Sequence, residues 1–170
     1  MIALEWLMMS QKLEQDLCES LHDRVHYGFI KVDSLIQFCI YVDHQIWFQS
    51  QLSDEIYELF THLLYNRNFL MFQDDIDGEV NSAMIHAGYI SSWDIPVYLT
   101  QFLRQAIDIS LTDDNELIRL LAILDRRVSL EDLISIRDMV DYQPCWLKKF
   151  YLLRMQVEHI DMHEGLGNVS

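Results

Sequence analysis

Proline and glycine are scarce in this chain of 170 residues, which has two prolines and five glycines. Sandwiches and barrels of β-strands need tight turns at short intervals, and those turns draw on these two residues. Disorder is excluded as well, because 51% of the side chains are hydrophobic. The composition therefore predicts an all-α protein, a compact single-domain bundle of about seven to eight helices. The domain is expected over residues 1–163, with residues 164–170 as a frayed tail.

Cysteine is also rare, and Cys18, Cys39 and Cys145 form no CxxC pair. Widely spaced cysteines in odd number indicate reduced thiols rather than a disulfide framework or a zinc site. The N-terminus has no basic region, and no apolar run approaches about 20 residues. We therefore expect a cytoplasmic protein that does not bind membranes.

Signatures of common enzymes are missing too: GxGxxG, GxxxxGK[ST], HExxH and GxSxG do not occur. The segment from Gln73 to Gly78 resembles a calcium loop, but Met84 stands where the loop needs its bidentate carboxylate. His22/His26 and His159/His163 have helical spacing, yet no further ligand is identified. No cofactor and no metal are predicted.

Apolar residues recur at helical spacing along the first half of the chain. The pattern predicts a first helix from near Leu4 to near Gly28 and a second from Asp33 to about Gln49. A third helix, capped by Ser53, is expected to fade near Asn66. A fourth is predicted from Asp74 or Asp75 to near Gly88.

Helix boundaries in the second half carry stronger local signals. Ser92 or Asp94 is expected to open a fifth helix with Pro96 in its first turn. A capping turn precedes a helix over residues 117–124. Ser129 and Asp132 form a capping-box pattern for a helix through about residue 140, and Pro144 starts the last helix. The paired helices after residue 93 leave a short HEAT-like stack open as an alternative.

Charge is the most unusual property of the chain, since 27 acidic residues face 12 basic ones and the formal charge is −15. Between residues 32 and 103, ten acids are opposed by Arg67 alone. Either this excess serves solubility, or it attracts a basic partner. Direct nucleic-acid binding is disfavoured, because phosphates need a basic stripe. The only side chains that approach such a stripe are Arg126, Arg127, Lys148, Lys149 and Arg154.

One enzymatic alternative comes from the segment Arg154-Met155-Gln156-Val157-Glu158-His159. It resembles the Arg-x4-6-His element of HEPN-type ribonucleases. In that family the arginine and histidine of a dimer surround the scissile phosphate. The resemblance implies an α-helical ribonuclease that uses Arg154 and His159.

As a whole, the chain is similar to immunity proteins of bacterial contact-dependent inhibition and polymorphic toxin systems, which are short, acidic, helical and poor in cysteine. The resemblance implies a non-enzymatic protein that neutralises a basic toxin, often an RNase or tRNase, either by covering its active site or at an exosite. An acidic α-helical adaptor is a further alternative, and the oligomeric state stays open. The candidate contact residues are Asp54, Glu55, Glu58, Asp74, Asp75, Asp77 and Glu79.

Overall fold

The structure, a computed structural model, describes residues 2–32, 35–52 and 82–160. It is a mixed α/β fold, so the all-α prediction is wrong: a three-stranded antiparallel sheet packs with the helices. The named elements are α1 (Ile2–Asp16), a 3-10 turn (Glu19–Leu21), β1 (Val25–Val32), β2 (Leu35–Val42), β3 (Gln45–Gln49), α2 (Ile95–Arg104), α3 (Ile107–Leu111), α4 (Glu116–Leu124), α5 (Leu130–Ser135), α6 (Arg137–Val140) and α7 (Cys145–Val157). Residues 82–86 are also helical.

Helix α1 ends at Asp16 rather than near Gly28. Beyond it, Leu17 forms an isolated antiparallel bridge with Asp125. The Cys18 N–H donates to the Leu124 carbonyl at 2.9 Å, and the Arg126 N–H donates to the Asp16 carbonyl at 2.8 Å. These long-range backbone bonds replace the next helical turn. The helical spacing marked buried positions only in part, since Leu13, Leu17 and Leu21 lie in the core but Leu7 and Met8 are exposed.

The predicted second helix is instead the hairpin of β2 and β3, with β1 on the other side of β2. The apolar residues between 35 and 48 fit a helical stripe, but most of them are β-branched or aromatic, and such residues favour strands. The segment forms a strand because β2 is the central strand of the sheet and is buried on both faces. Phe38, Cys39 and Ile40, which alternate between these faces, are all buried.

Asp43 and His44 form the two-residue turn between β2 and β3, with φ of 49° and 66°. Positive φ at both positions suits the twist of a hairpin. Arg24 stabilises this turn, because its guanidinium donates to both carboxylate oxygens of Asp43 at 2.9 and 2.6 Å. The Asp43 N–H in turn donates to the Arg24 carbonyl at 2.8 Å.

The predicted boundaries in the second half are largely confirmed. Asp94 is the N-cap position of α2, and Pro96 lies in its first turn. Ser129 and Asp132 form a complete capping box at α5, and Pro144 precedes α7. The helix expected through residue 140 is divided into α5 and α6.

Helix α4 is the centre of the fold. Every residue from Glu116 to Leu124 is buried, and the helix packs against α2, α3 and α7. One hydrophobic cluster joins it to α1 and the sheet, extending from Trp6 to Met155. The predicted third helix, the start of the fourth and the tail at 164–170 lie outside the described residues.

Candidate functional site

The seven carboxylates predicted to contact a partner all lie outside the described residues. They are Asp54, Glu55, Glu58, Asp74, Asp75, Asp77 and Glu79. The residues on either side of their segment are hydrogen-bonded to each other. The Gln51 N–H donates to the Ile90 carbonyl at 2.8 Å, and the Ser92 N–H donates to the Gln51 carbonyl at 2.9 Å. The two flanks of the acidic segment are therefore paired beside the end of β3.

The flank pairing is reinforced by buried hydroxyl groups. The Ser50 and Ser92 hydroxyls lie 2.8 Å apart, and the Ser50 hydroxyl also accepts the Phe38 N–H at 2.8 Å. Both serines are buried. Because buried polar groups are costly unless bonded, this network fixes where the chain leaves β3 and where it returns.

A groove of about 350 Å³ opens next to this junction, between β3 and the turn at Gly88. Its aromatic lining comes from three separate parts of the chain: Trp47 and Phe48 on β3, Tyr89 after the turn, and Trp146 on α7. The Trp146 indole N–H donates to the His86 carbonyl at 3.1 Å, which fixes the ring against the turn. The groove is therefore a built feature of the fold with aromatic walls.

The polar rim of the groove consists of two glutamines. The Gln49 side-chain NH₂ donates to Gln37 Oε1 at 2.9 Å, and the Gln51 NH₂ donates to the Gln49 carbonyl at 3.3 Å. Each NH₂ group thus makes one hydrogen bond within the chain. In the described part of the chain, no hydrogen bond reaches the Oε1 atom of either Gln49 or Gln51. The rim offers acceptors.

Lys149 lies behind the groove wall, against the outer edge of β3. Its Nζ donates to the Trp47 carbonyl at 2.6 Å. The same ammonium lies 5.1 Å from the centre of the Trp47 ring and 5.5 Å from that of Phe150. Burial lowers the pKa of Lys149. This lysine, which the sequence suggested as part of a basic stripe, instead closes a strand edge.

Arg154 is the arginine of the segment that resembles HEPN-type ribonucleases. It is buried, with an exposed fraction of 3%. Its guanidinium lies 3.3 to 3.5 Å from the carbonyl oxygens of four residues that follow or end α4: Ile123, Leu124, Asp125 and Val128. Its Nε lies 3.0 Å from Glu158 Oε1. His159 is exposed and has a positive φ of 56° in the turn after α7. These contacts give Arg154 a packing role.

Glu158 joins α7 to the segment after α1. Its Oε1 accepts from the Cys18 thiol and the Ser20 hydroxyl, both at 2.8 Å. Burial and this carboxylate raise the pKa of Cys18. Burial would also raise the pKa of Glu158, but the hydrogen bonds from Cys18 and Ser20 and the charge of Arg154 outweigh it, so the pKa is lowered.

A second pocket, of about 590 Å³, opens beside this cluster. A raised pKa keeps Cys18 as the unreactive thiol, and a carboxylate with a lowered pKa is a weak base. We interpret the cluster as a structural tie between α7 and the end of α1.

Ion pairs engage the remaining members of the possible basic stripe. Arg127 pairs with Asp125 at 2.7 Å, Lys148 with Asp141 at 2.5 Å, and Arg126 with Asp16 at 3.8 Å. The structure therefore does not bring these side chains together as a free basic surface.

Two further features concern metals and membranes. No three His, Cys, Asp or Glu side chains within residues 2–32, 35–52 and 82–160 could together hold a metal ion. His22 lies 3.0 Å from the Leu17 carbonyl, and His26 lies 3.9 Å from Glu14. Over the same ranges, no helix combines the length and the apolar character needed to cross a membrane.

The groove was not found from the sequence, because its residues are distant along the chain and two of them are neutral amides. Its aromatic residues stand at positions 47, 48, 89 and 146, and only the first two are neighbours in the sequence. Phe48 is buried in the core, whereas Tyr89 is 43% exposed.

Fold and groove together define a mixed α/β protein whose small antiparallel sheet and helices share one core. The chain belongs to the SF0329 protein family, whose model matches residues 5–155. Comparisons with the curated proteins and with the solved structures found no match.

Proposed function

We propose that this protein binds and neutralises a basic toxin domain, as the immunity proteins of contact-dependent inhibition systems do. The toxin is an RNase or tRNase, and the protein acts in the cytoplasm without catalysing a reaction. Its carboxylates take the place of substrate phosphates and pair with the lysines and arginines of the toxin, which covers the active site.

The observation that carries the proposal is the engagement of the basic side chains. Arg126, Arg127, Lys148 and Arg154 pair with carboxylates of the chain itself, and Lys149 binds a backbone carbonyl. Binding to phosphates would require these groups to face a ligand. Because they are engaged internally, they do not form a free basic surface, and the chain as a whole carries a formal charge of −15.

Exposed acids of the described helices add to this field. Asp108, Glu131 and Asp138 are exposed and form no ion pair with a described residue. A field of one sign raises the association rate with an oppositely charged partner by roughly 10- to 1,000-fold. An acidic surface therefore suits a protein that must capture a basic toxin before it acts.

The polar clusters of the described chain also favour binding over catalysis. One of them combines Cys18, Ser20, Arg154 and Glu158, and each of these groups has an internal partner. The contacts that bury Arg154 give no support to the ribonuclease alternative. Neutralisation of a basic toxin domain is therefore the function that we propose.

The test first establishes whether the gene immediately upstream encodes a basic toxin domain, and then measures binding of the purified protein to that domain at two salt concentrations. The variant Asp74→Lys/Asp75→Lys/Asp77→Lys is expected to weaken binding and to flatten the salt dependence. Losing one fully desolvated carboxylate should cost about 2 to 5 kcal/mol. The matched control is Asp108→Lys/Glu131→Lys/Asp138→Lys, which changes the net charge equally on the described helices.

A larger loss in the first variant than in the control supports a docking surface at the predicted acids. Equal losses would place the effect in the overall field rather than in that surface, which contradicts the candidate residues. Absence of binding and of nuclease inhibition by the unmodified protein would overturn the function itself.

A further inference from the structure

We infer that the groove between β3 and the turn at Gly88 binds an arginine side chain of the partner protein. The inference rests on the proposed function for the identity of the partner, and it assigns a contact on different residues from the acidic segment. Its support is the combination of aromatic walls, open acceptors and a closed strand edge.

The aromatic walls suit a cation. Trp47, Tyr89 and Trp146 line the groove, and ring faces attract cations because of their quadrupole. A cation already occupies one part of this aromatic group, since Lys149 Nζ lies 5.1 Å from the Trp47 ring centre. Tyr89 and Trp146 present the same type of surface to an incoming side chain.

The rim supplies matching hydrogen-bond acceptors. Gln49 and Gln51 have their NH₂ groups engaged with Gln37 and with the Gln49 carbonyl, respectively. Their Oε1 atoms are the groups left for a ligand within the described chain. An N–H donor with positive charge satisfies both the amide oxygens and the ring faces, whereas an anion or a plain hydrocarbon satisfies at most one of them.

The strand edge excludes an added β-strand as the occupant. A peptide strand would need the outward carbonyls of β3, but Lys149 takes that of Trp47 and the Gln51 side chain takes that of Gln49. Trp47 also has no Cα partner in β2, because the register shifts from Phe48 to Ile46 there. A bulge of this kind interrupts strand pairing. The occupant is therefore a side chain.

Arginine fits better than lysine. Its planar guanidinium stacks on aromatic faces and carries five N–H donors, enough for both glutamine oxygens at once. No residue among those that line the groove, all of them described, is charged, and the Lys149 ammonium lies outside the lining, 5.1 Å from the Trp47 ring centre. The negative charge of the chain as a whole complements the guanidinium.

The test titrates the protein with acetyl-Gly-Arg-Gly-amide and follows the indole N–H signals of Trp47 and Trp146 by NMR, assigned with Trp→Phe variants. The isosteric citrulline peptide is the control, because it keeps the shape and removes the charge. We expect saturable shifts of both signals at millimolar arginine peptide and weaker shifts with the lysine peptide. Absence of a shift, or an equal response to citrulline, would overturn the inference.

Two variants locate the contact. Tyr89→Ala removes an exposed ring, and Gln51→Met removes an acceptor while keeping the side-chain length. Each is expected to weaken arginine-peptide binding by at least about threefold. Tyr142→Ala, at a tyrosine that is 84% exposed and outside the groove, should leave binding unchanged. Equal affinity in all three variants would contradict the site.

The two proposals fail separately in this design. If the arginine peptide binds but the upstream toxin domain does not, the result supports arginine binding in the groove and contradicts the immunity function. If the toxin domain binds and Tyr89→Ala does not weaken that binding, the result supports the immunity function and shows that the groove is not the contact.

Discussion

Lys149 closes the outer edge of β3 by donating from Nζ to the Trp47 carbonyl across 2.6 Å. The contact is placed at the bulge, where Trp47 lacks a partner in β2. Unpaired edge groups are templates for association with another chain, and lysines and bulges are two of the devices that prevent it. One side chain from α7 thus protects the edge next to the groove.

Replacing this lysine should therefore lower stability and solubility together. Lys149→Met keeps most of the stem but leaves the Trp47 carbonyl without its donor, at a cost of about 1 to 2 kcal/mol in the free energy of unfolding. Urea unfolding measures the loss, and light scattering at increasing concentration measures association. Lys148→Met is the matched control, because Lys148 pairs with Asp141 at the surface and should change stability by less than about 1 kcal/mol. Equal effects of the two substitutions would contradict the role of the edge contact.

Arg154 should be needed for folding rather than for chemistry. Arg154→Met leaves Glu158 and the carbonyls at the end of α4 without their cationic partner, which we expect to cost about 3 kcal/mol or more. The same measurement on Arg126→Met should show less than about 1 kcal/mol, because that side chain is 56% exposed and lies 3.8 Å from Asp16. A variant of Arg154 as stable as the variant of Arg126 would mean that the buried contacts contribute nothing.

Glu158 should contribute to the loss of stability in acid. Its pKa is lowered in the fold, since the donors Cys18, Ser20 and Arg154 outweigh burial. A carboxyl group of this kind stabilises the fold above its unfolded pKa, and the contribution disappears as the pH falls through the lower folded pKa. Glu158→Gln should therefore reduce stability near neutral pH and flatten its decrease in acid, as measured by thermal unfolding between about pH 7 and pH 3. Parallel curves for the two proteins would contradict this assignment.

The parts of the fold that were predicted correctly depend on contacts between neighbours in sequence. The capping box of Ser129 and Asp132 spans three residues, and Pro96 acts within its own helical turn. The error at residues 33–49 has the opposite origin. An apolar run there fits both a helix and a buried strand, and only pairing across the sheet decides between them. Asp43 and His44 supply the turn without the glycine that usually marks a hairpin.

The groove could not be predicted for a related reason. Gln51 and Trp146 are separated by most of the chain, and they line one groove only because α7 packs beside the sheet. The polar character of the rim depends on which amide atoms are already bonded, a property that Gln49 and Gln51 acquire only in the folded chain. The excess of acidic residues could be predicted, because counting acidic and basic residues requires only the sequence.

Gly88 is expected to be required for the shape of the groove. Its φ is +89°, and a Cβ atom at this position would lie 3.2 Å from Trp146 Cδ1. Gly88→Ala should therefore lower the free energy of unfolding by about 1 to 2 kcal/mol, through backbone strain and pressure on the indole ring. Denaturant unfolding of Gly88→Ala, Trp146→Phe and the double variant separates the two causes. If the contact with the ring dominates, Gly88→Ala should lower the free energy of unfolding less in the Trp146→Phe protein than in the wild type. If the positive φ dominates, the loss should be the same in both proteins. No loss in either background would contradict the backbone conformation assigned to Gly88.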